Sequence, residues 1–362
     1  MIPDCTLVTG CFDLTAYNNK GRSVHDSIQN MKSLLEVPCY LVIYGNSPII
    51  EAIKQIRGEY QMNHITLYIE CNPEDLDSFQ YVDKVKSNRI LYHPTKDERT
   101  CAESHLITCS KFELVLKTIR SNPFCTTKFG WIDSNIGVQF SKIAVHYKKN
   151  MLLKILNTCS SDKFHIQILN VNPKKYIHEE HWREYYESYR WVVCGCLFIT
   201  GKDIGIQILE DLNNVFRKHT ECGYGHAEEM FYLEILDKYY DQIERSYGDY
   251  KHILNNFCGM TEGLDYIRYI ANRYMTMGYY KECIDCCSKA ISQYEHHHIE
   301  MNYSLYFDFL FYHYVSTFYH EYSKAKECVN HILQLIKENP YIRQEYEKNQ
   351  IFYDQQFKYA IA

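Results

Sequence analysis

Strand-like and helix-like stretches alternate along most of this chain, and from Glu262 onward the strand signal vanishes. That single change of pattern restricts the fold more than any other feature. Alternation predicts an α/β sheet whose functional residues gather at the C-terminal ends of its strands. The all-helical remainder predicts a second layer of organisation. With 362 residues the chain exceeds one ordinary core, so two domains are expected, at 1–258 and 259–362.

The first part reads in detail as follows. Residues 6–10, 39–44, 65–69 and 129–132 have the short, apolar, β-prone character of buried strands. Residues 26–35 have helical spacing, and Asn46-Ser47-Pro48 opens another helix. Residues 104–120 form a helix with Leu106, Cys109, Phe112, Leu116 and Ile119 along one face. Further strands are predicted at 164–171 and 191–199, and further helices at 204–218 and 226–239.

In the tail, Met277-Gly278-Tyr279-Tyr280-Lys281-Glu282-Cys283-Ile284 and then Lys289-Ala290-Ile291 look like the tetratricopeptide pattern. Small side chains there let two helices approach closely. A weaker copy runs through Tyr322-Ser323-Lys324-Ala325, Ile332-Leu333 and Pro340. An all-α, tetratricopeptide-like domain with a protein partner is therefore expected. A plain helical bundle without a partner is the alternative.

The net charge of −6 argues against general attraction to nucleic acid or an anionic membrane. No run approaches the ~18 apolar residues of a membrane span, and the N-terminus reads as a turn and strand rather than a signal peptide. The sixteen cysteines include several within apolar runs (Cys39, Cys194, Cys196), so they read as reduced packing residues of a cytoplasmic protein. Cys283 and Cys286 form a lone C-x-x-C inside a helical pattern, without the second pair a zinc ribbon needs. His296-His297-His298 reads as a solvated loop, and His178 and His181 miss the i, i+4 spacing of a zinc-protease helix.

Two stretches carry most of the chemistry. In Phe129-Gly130-Trp131-Ile132-Asp133-Ser134-Asn135 an aromatic-apolar strand delivers a carboxylate at its end. A hard divalent cation bridging two phosphates takes one or two carboxylates, with phosphate and water completing its sphere. Asp133 with Asn135 fits that demand; an ordinary turn residue is the plainer reading. In Gly223-Tyr224-Gly225-His226-Ala227-Glu228-Glu229 glycines lead into a helix that starts with two carboxylates. Glu228 and Glu229 are catalytic candidates there, or simply acids favoured by the helix dipole. Arg57, following a helix, and Lys111, on a polar helix face, are candidates for holding phosphate. His252 is a candidate metal ligand by chain order.

The segment Asn122-Pro123-Phe124, Thr126, Phe129 and Trp131-Ile132-Asp133 resembles the HtrL/YibB-type family, whose pattern runs N-P-F-x-T…F-x-W-I-D. The likeness extends to Thr6-Leu7-Val8-Thr9, Lys111, Gly195, Glu228-Glu229 and Tyr247-Gly248-Asp249-Tyr250, about two-thirds of the chain. The resemblance implies a GT-A-type, Rossmann-like mixed sheet with helices on both faces. It also implies glycosyl transfer from a nucleotide-diphosphate sugar, a UDP-sugar foremost, to a glycan, protein or small-molecule hydroxyl. Thr9, Arg57, Lys111, Trp131, Asp133 and Gly195 would line the donor site. Asp133, Asn135 and His252 would hold a divalent metal, Mn or Mg. One departure stands out: the usual D-x-D is D-S-N here. The competing expectations are an interaction scaffold built on a degenerate transferase fold, and an unrelated α/β enzyme acting on phosphorylated metabolites.

Overall fold

The computed structural model describes residues 2–91, 97–136, 139–140, 143–144, 149–225, 228–259, 263–296 and 301–361. It divides into two compact units, Met1–Ser246 and Tyr247–Ala362. The division falls before the 258/259 boundary expected from the pattern change, and side chains explain why. Tyr247 Oη donates to the Asp285 carboxylate at 2.6 Å, and Asn256 Nδ2 donates to the Asp249 carbonyl at 3.0 Å. Residues after Ser246 are thus tied to the helical part.

The first unit runs β1 (Cys5–Cys11), α1 (Val24–Leu35), β2 (Tyr40–Gly45), α2 (Ser47–Glu59), β3 (Thr66–Glu70), α3 (Val82–Leu91), α4 (Ala102–Ser121) and β4 (Lys128–Ile132). A two-residue pair follows, β5 (Gln139–Phe140) with β6 (Ile143–Ala144), then α5 (Lys149–Thr158) and β7 (Phe164–Ile168). The unit is completed by α6 (Trp182–Tyr186), β8 (Val193–Gly201), α7 (Lys202–Glu221), α8 (Glu228–Lys238) and β9 (Ile243–Tyr247), whose last residue is the first of the helical unit.

Among the described residues, seven strands make one sheet in the order β3-β2-β1-β4-β8-β7-β9. The pairs β2–β3, β1–β2 and β1–β4 are parallel, whereas β4–β8 and β7–β8 are antiparallel. The sheet is mixed, as expected. Strands β4 and β8 are buried along their whole length, which requires cover on both faces and explains why they read as continuous apolar runs. Gly130 gives β4 no side chain where it meets β8: a Cβ there would lie 2.4 Å from the Phe198 carbonyl oxygen.

Local chemistry sets the elements. Ser23 caps α1 by accepting from Asp26 N–H at 3.0 Å, and Pro48 sits in the first turn of α2. Helix α4 ends at Asn122, whose left-handed φ of 38° reverses the chain. The Asn122 side chain then accepts from Thr126 N–H at 3.0 Å and donates to the Thr126 carbonyl at 3.1 Å. Thr126 Oγ1 meets Thr6 Oγ1 at 2.7 Å, and Phe124 stacks on Tyr40. The Asn-Pro-Phe-Cys-Thr portion of the motif is therefore the turn that aims β4.

The second unit holds α9 (Ile253–Phe257), α10 (Leu264–Thr276), α11 (Tyr280–His296), α12 (Tyr303–His320), α13 (Tyr322–Glu338), α14 (Pro340–Glu347) and α15 (Gln350–Ile361). Helices α10–α13 pack each against the next. Gly278, at φ 75°, makes the turn between α10 and α11, and Ala290 and Ala325 are buried. Cys283, Cys286 and Cys287 are buried within α11. His297 and His298 lie outside the described residues, as do His226 and Ala227. All sixteen cysteines are free thiols. Among the described residues, no helix is long and apolar enough to cross a membrane.

Candidate functional site

Asp133 directly follows β4, with its N–H donating to the Cys196 carbonyl of β8 at 2.9 Å. Because β8 runs antiparallel to β4, the C-terminal end of β4 and the N-terminal end of β8 lie at the same end of the sheet's strands. Asp133 and Gly195 meet there, and α4 and α8 bring Lys111 and Glu228 to the same place. Trp131 Nε1 donates to Asp133 Oδ1 at 2.5 Å. The Asp133 side chain remains 37% exposed.

Lys111 organises this end of the sheet. It was expected on a polar helix face; instead it is fully buried in α4. Its Nζ donates to Glu228 Oε1 at 2.6 Å and to the Gly195 carbonyl at 2.9 Å, and lies 3.5 Å from Asp133 Oδ1. It also stands 5.5 Å from the Trp131 ring centroid. Burial alone would lower the lysine pKa, but Asp133, Glu228 and Glu229 outweigh it and hold the ammonium well above its ordinary value. Gly195 permits the approach: a Cβ there would lie 3.1 Å from Glu228 Oε1 and 3.4 Å from Glu229 Cγ.

The two adjacent glutamates at the start of α8 are pushed apart in acidity. Burial opposes ionisation of Glu228, but the Lys111 charge and hydrogen bond override it and lower its pKa. Among the described residues no cation bonds Glu229 directly. Burial first, and the Glu228 charge second, push its pKa up to about 8. Its Oε2 accepts from Tyr189 Oη at 2.9 Å. Glu228 is thus held as a carboxylate by Lys111, whereas Glu229 favours its protonated form, and among the described residues Lys111 is the cation that the three carboxyl groups gather around. Paired carboxyl groups with divergent acidities suit acid–base work.

The remaining predicted residues fall elsewhere. Thr9 is buried in β1 one position beyond Val8, the register partner of Trp131, and among the described residues its Oγ1 has no hydrogen-bond partner. Arg57 does not join the cluster. It is completely buried, donating to the carbonyls of Leu35, Val37 and Cys39 and to Thr66 Oγ1 at 2.6–2.9 Å. Those carbonyls precede β2, so Arg57 clamps the opposite end of the parallel strands from Asp133. It is a structural residue, and phosphate contact is excluded by its burial and its partners.

Asn135 Oδ1 accepts from Asn30 Nδ2 at 3.2 Å, while its own Nδ2 donates to Ser134 Oγ. His252 belongs to the second unit, in a short turn at Tyr250–His252. Among the described residues, no group of three His, Cys, Asp or Glu side chains is placed to hold a metal. Among the described residues, Asp133 and the Asn135 amide oxygen are the ligands this end of the sheet would offer a divalent cation, with phosphate and water completing its sphere, as magnesium commonly requires.

Tyr189 was not anticipated from the sequence; only the density of aromatics between Trp182 and Trp191 marked its neighbourhood. A separate cavity of about 360 Å³ is lined by Asp77, Glu113, Lys117, Arg120, Glu210 and Arg217 among others. Several of its charges pair internally, Arg120 with Glu210 at 2.6 Å and Lys117 with Asp77 at 3.3 Å, and it shares no residue with the Asp133 cluster.

No protein-family model matches the chain, and no curated protein matches it. Among solved structures, mouse xyloside xylosyltransferase 1 in its apo form aligns with it. The alignment covers 66% of this chain and 84% of that one, at 12% identity and a TM-score of 0.37.

Proposed function

We propose that the first unit transfers a glycosyl group from a nucleoside-diphosphate sugar, foremost a UDP-sugar, to a hydroxyl acceptor. The observation that carries this reading is the Lys111-centred carboxylate cluster at the C-terminal end of β4. It joins a half-open Asp133, suited to a cation-bridged diphosphate, to Glu229, a carboxyl group poised to exchange a proton near neutral pH. The resemblance of the Trp-Ile-Asp segment to the HtrL/YibB-type family points the same way.

Each residue has a distinct task in this scheme. Glu228, locked by Lys111, is a positioning residue that fixes the start of α8. Glu229, in its ionised form, takes the proton of the acceptor hydroxyl as that oxygen bonds to the anomeric carbon and the diphosphate departs. Asp133 and Asn135 would hold Mn²⁺ or Mg²⁺ with the donor. When bound, such a cation supplies charge neutralisation at the leaving diphosphate. Among the described residues the carboxyl groups of the cluster outnumber its lysine, so a bridging cation would favour binding of the diphosphate. Helix pairs α10–α11 and α12–α13, with their buried alanines, would serve as a tetratricopeptide-like surface for a protein partner.

Thermal unfolding with UDP, GDP and ADP, each with and without Mn²⁺, tests the reading. A nucleotide at a hundred times its dissociation constant should add about 2.7 kcal/mol of stability. A chain indifferent to all three in the presence of Mn²⁺ would be a scaffold rather than a transferase.

A further inference from the structure

Trp191 is the one tryptophan of three that stands open to solvent: it is 53% exposed, against 4% for Trp131 and 0% for Trp182. Its position makes that exposure unusual. Every residue of β8, which begins two positions later, is buried. The backbone beneath the ring is fixed, since Asn170 Nδ2 donates to the Trp191 carbonyl at 2.9 Å and Leu169 N–H donates to the Val192 carbonyl at 3.1 Å. The ring itself is buttressed by Tyr189, whose centroid lies 4.7 Å away. Tyr189 in turn holds Glu229 by the 2.9 Å hydrogen bond. Trp191 therefore presents a braced aromatic face one ring away from the group that handles the acceptor proton, at the strand-end side of the sheet where Asp133 lies.

We infer that Trp191, propped by Tyr189, is the acceptor platform of this site and that the acceptor is a neutral pyranoside. The inference rests on the transferase reading and names its acceptor class. A pyranose ring turns a patch of weakly positive C–H bonds toward one side and its hydroxyls outward. The negative face of an indole matches the first, and a neighbouring carboxyl group suits the second. Among the described residues of the cluster, Asp133 and Glu228 outnumber Lys111, and the Arg190 guanidinium beside the platform is turned to Tyr176 and the Tyr185 carbonyl, which disfavours an acidic sugar. Tyr189 is a positioning residue that couples the platform to Glu229.

Saturation-transfer NMR on the full chain tests this with methyl β-glucoside, methyl β-galactoside, methyl β-xyloside, cellobiose and methyl glucuronide, with UDP and Mn²⁺ binding measured in parallel. At least one neutral saccharide should receive saturation, concentrated on the protons of one ring face. Trp191→Ala should weaken that binding at least tenfold, and Trp191→Phe should retain part of it with an unchanged melting temperature. The proposal is overturned if no neutral saccharide binds, if the alanine variant binds as the parent does, or if the glucuronide binds best. Binding of UDP with Mn²⁺ but of no saccharide would remove the platform alone; failure of both would remove the transferase reading as well.

Discussion

Lys111 Nζ lies 2.6 Å from Glu228 Oε1 across 117 positions of the chain, and both side chains are almost wholly buried. Removing two charges from water is expensive, and their attraction offsets this only when the remaining hydrogen-bonding capacity is also met. Here the Gly195 carbonyl and the nearby Asp133 carboxylate complete the ammonium's surroundings. The pair thus fixes α4, α8 and β8 at the sheet end where the carboxylates gather.

Lys111→Met should leave Glu228 as an unpaired buried carboxylate and destabilise the first unit by about 3–5 kcal/mol. Adding Glu228→Gln should restore much of that loss, because the orphaned charge is then gone. Urea unfolding of both single variants and the double variant measures the coupling. Additive losses would show that the two groups do not interact energetically.

Glu229 predicts a specific pH dependence. Its folded pKa of about 8 exceeds the value near 4.3 expected when unfolded. Between those limits the folded state holds the extra proton, so stability falls as pH rises. Glu229→Gln abolishes this contribution. Melting temperatures from pH 4.5 to 9 should therefore show the parent losing ground to the variant until about pH 8, then running parallel. Parallel curves throughout would mean that Glu229 ionises as an exposed glutamate does.

The central strands were legible because burial on both faces leaves an uninterrupted apolar run, as in Leu41-Val42-Ile43-Tyr44. Strand β9 was missed: Ile243-Glu244-Arg245-Ser246-Tyr247 alternates, with only every second residue buried. Helix α3 was missed because only Val85 and Asn88 are buried, too few to mark an apolar face. Asp133, Gly195, Lys111 and the two glutamates were each visible as residues, but their convergence was not. A lysine in a sequence carries no mark of burial, and Tyr189 reaches Glu229 only through the fold. Arg57 shows the same limit from the other side, since a cation that clamps carbonyls looks like one that awaits phosphate.

Arg57→Met should be severely destabilising. It would strand the carbonyls of Leu35, Val37 and Cys39, and each unsatisfied buried group costs about 1–3 kcal/mol. A loss of at least about 3 kcal/mol in urea unfolding is expected, with nucleotide affinity of the folded fraction unchanged. Weakened nucleotide binding without loss of stability would return Arg57 to the site.

Asp133→Asn separates the functional from the structural role of the strand-end carboxylate. The amide oxygen can still accept from Trp131 Nε1, and Lys111 keeps Glu228 and the Gly195 carbonyl as partners. The half-open side chain adds little to packing, so the melting temperature should stay close to that of the parent. What the variant loses is the negative charge that would hold a cation against the donor diphosphate. Mn²⁺-dependent UDP binding should weaken, and turnover of the donor should fall at least a hundredfold, about 3 kcal/mol of transition-state stabilisation. An unfolded variant would make Asp133 a cap for the end of β4. A variant that folds, binds UDP with Mn²⁺ and turns over like the parent would move the donor site away from β4, leaving the Lys111 cluster as an internal clamp between α4, α8 and β8.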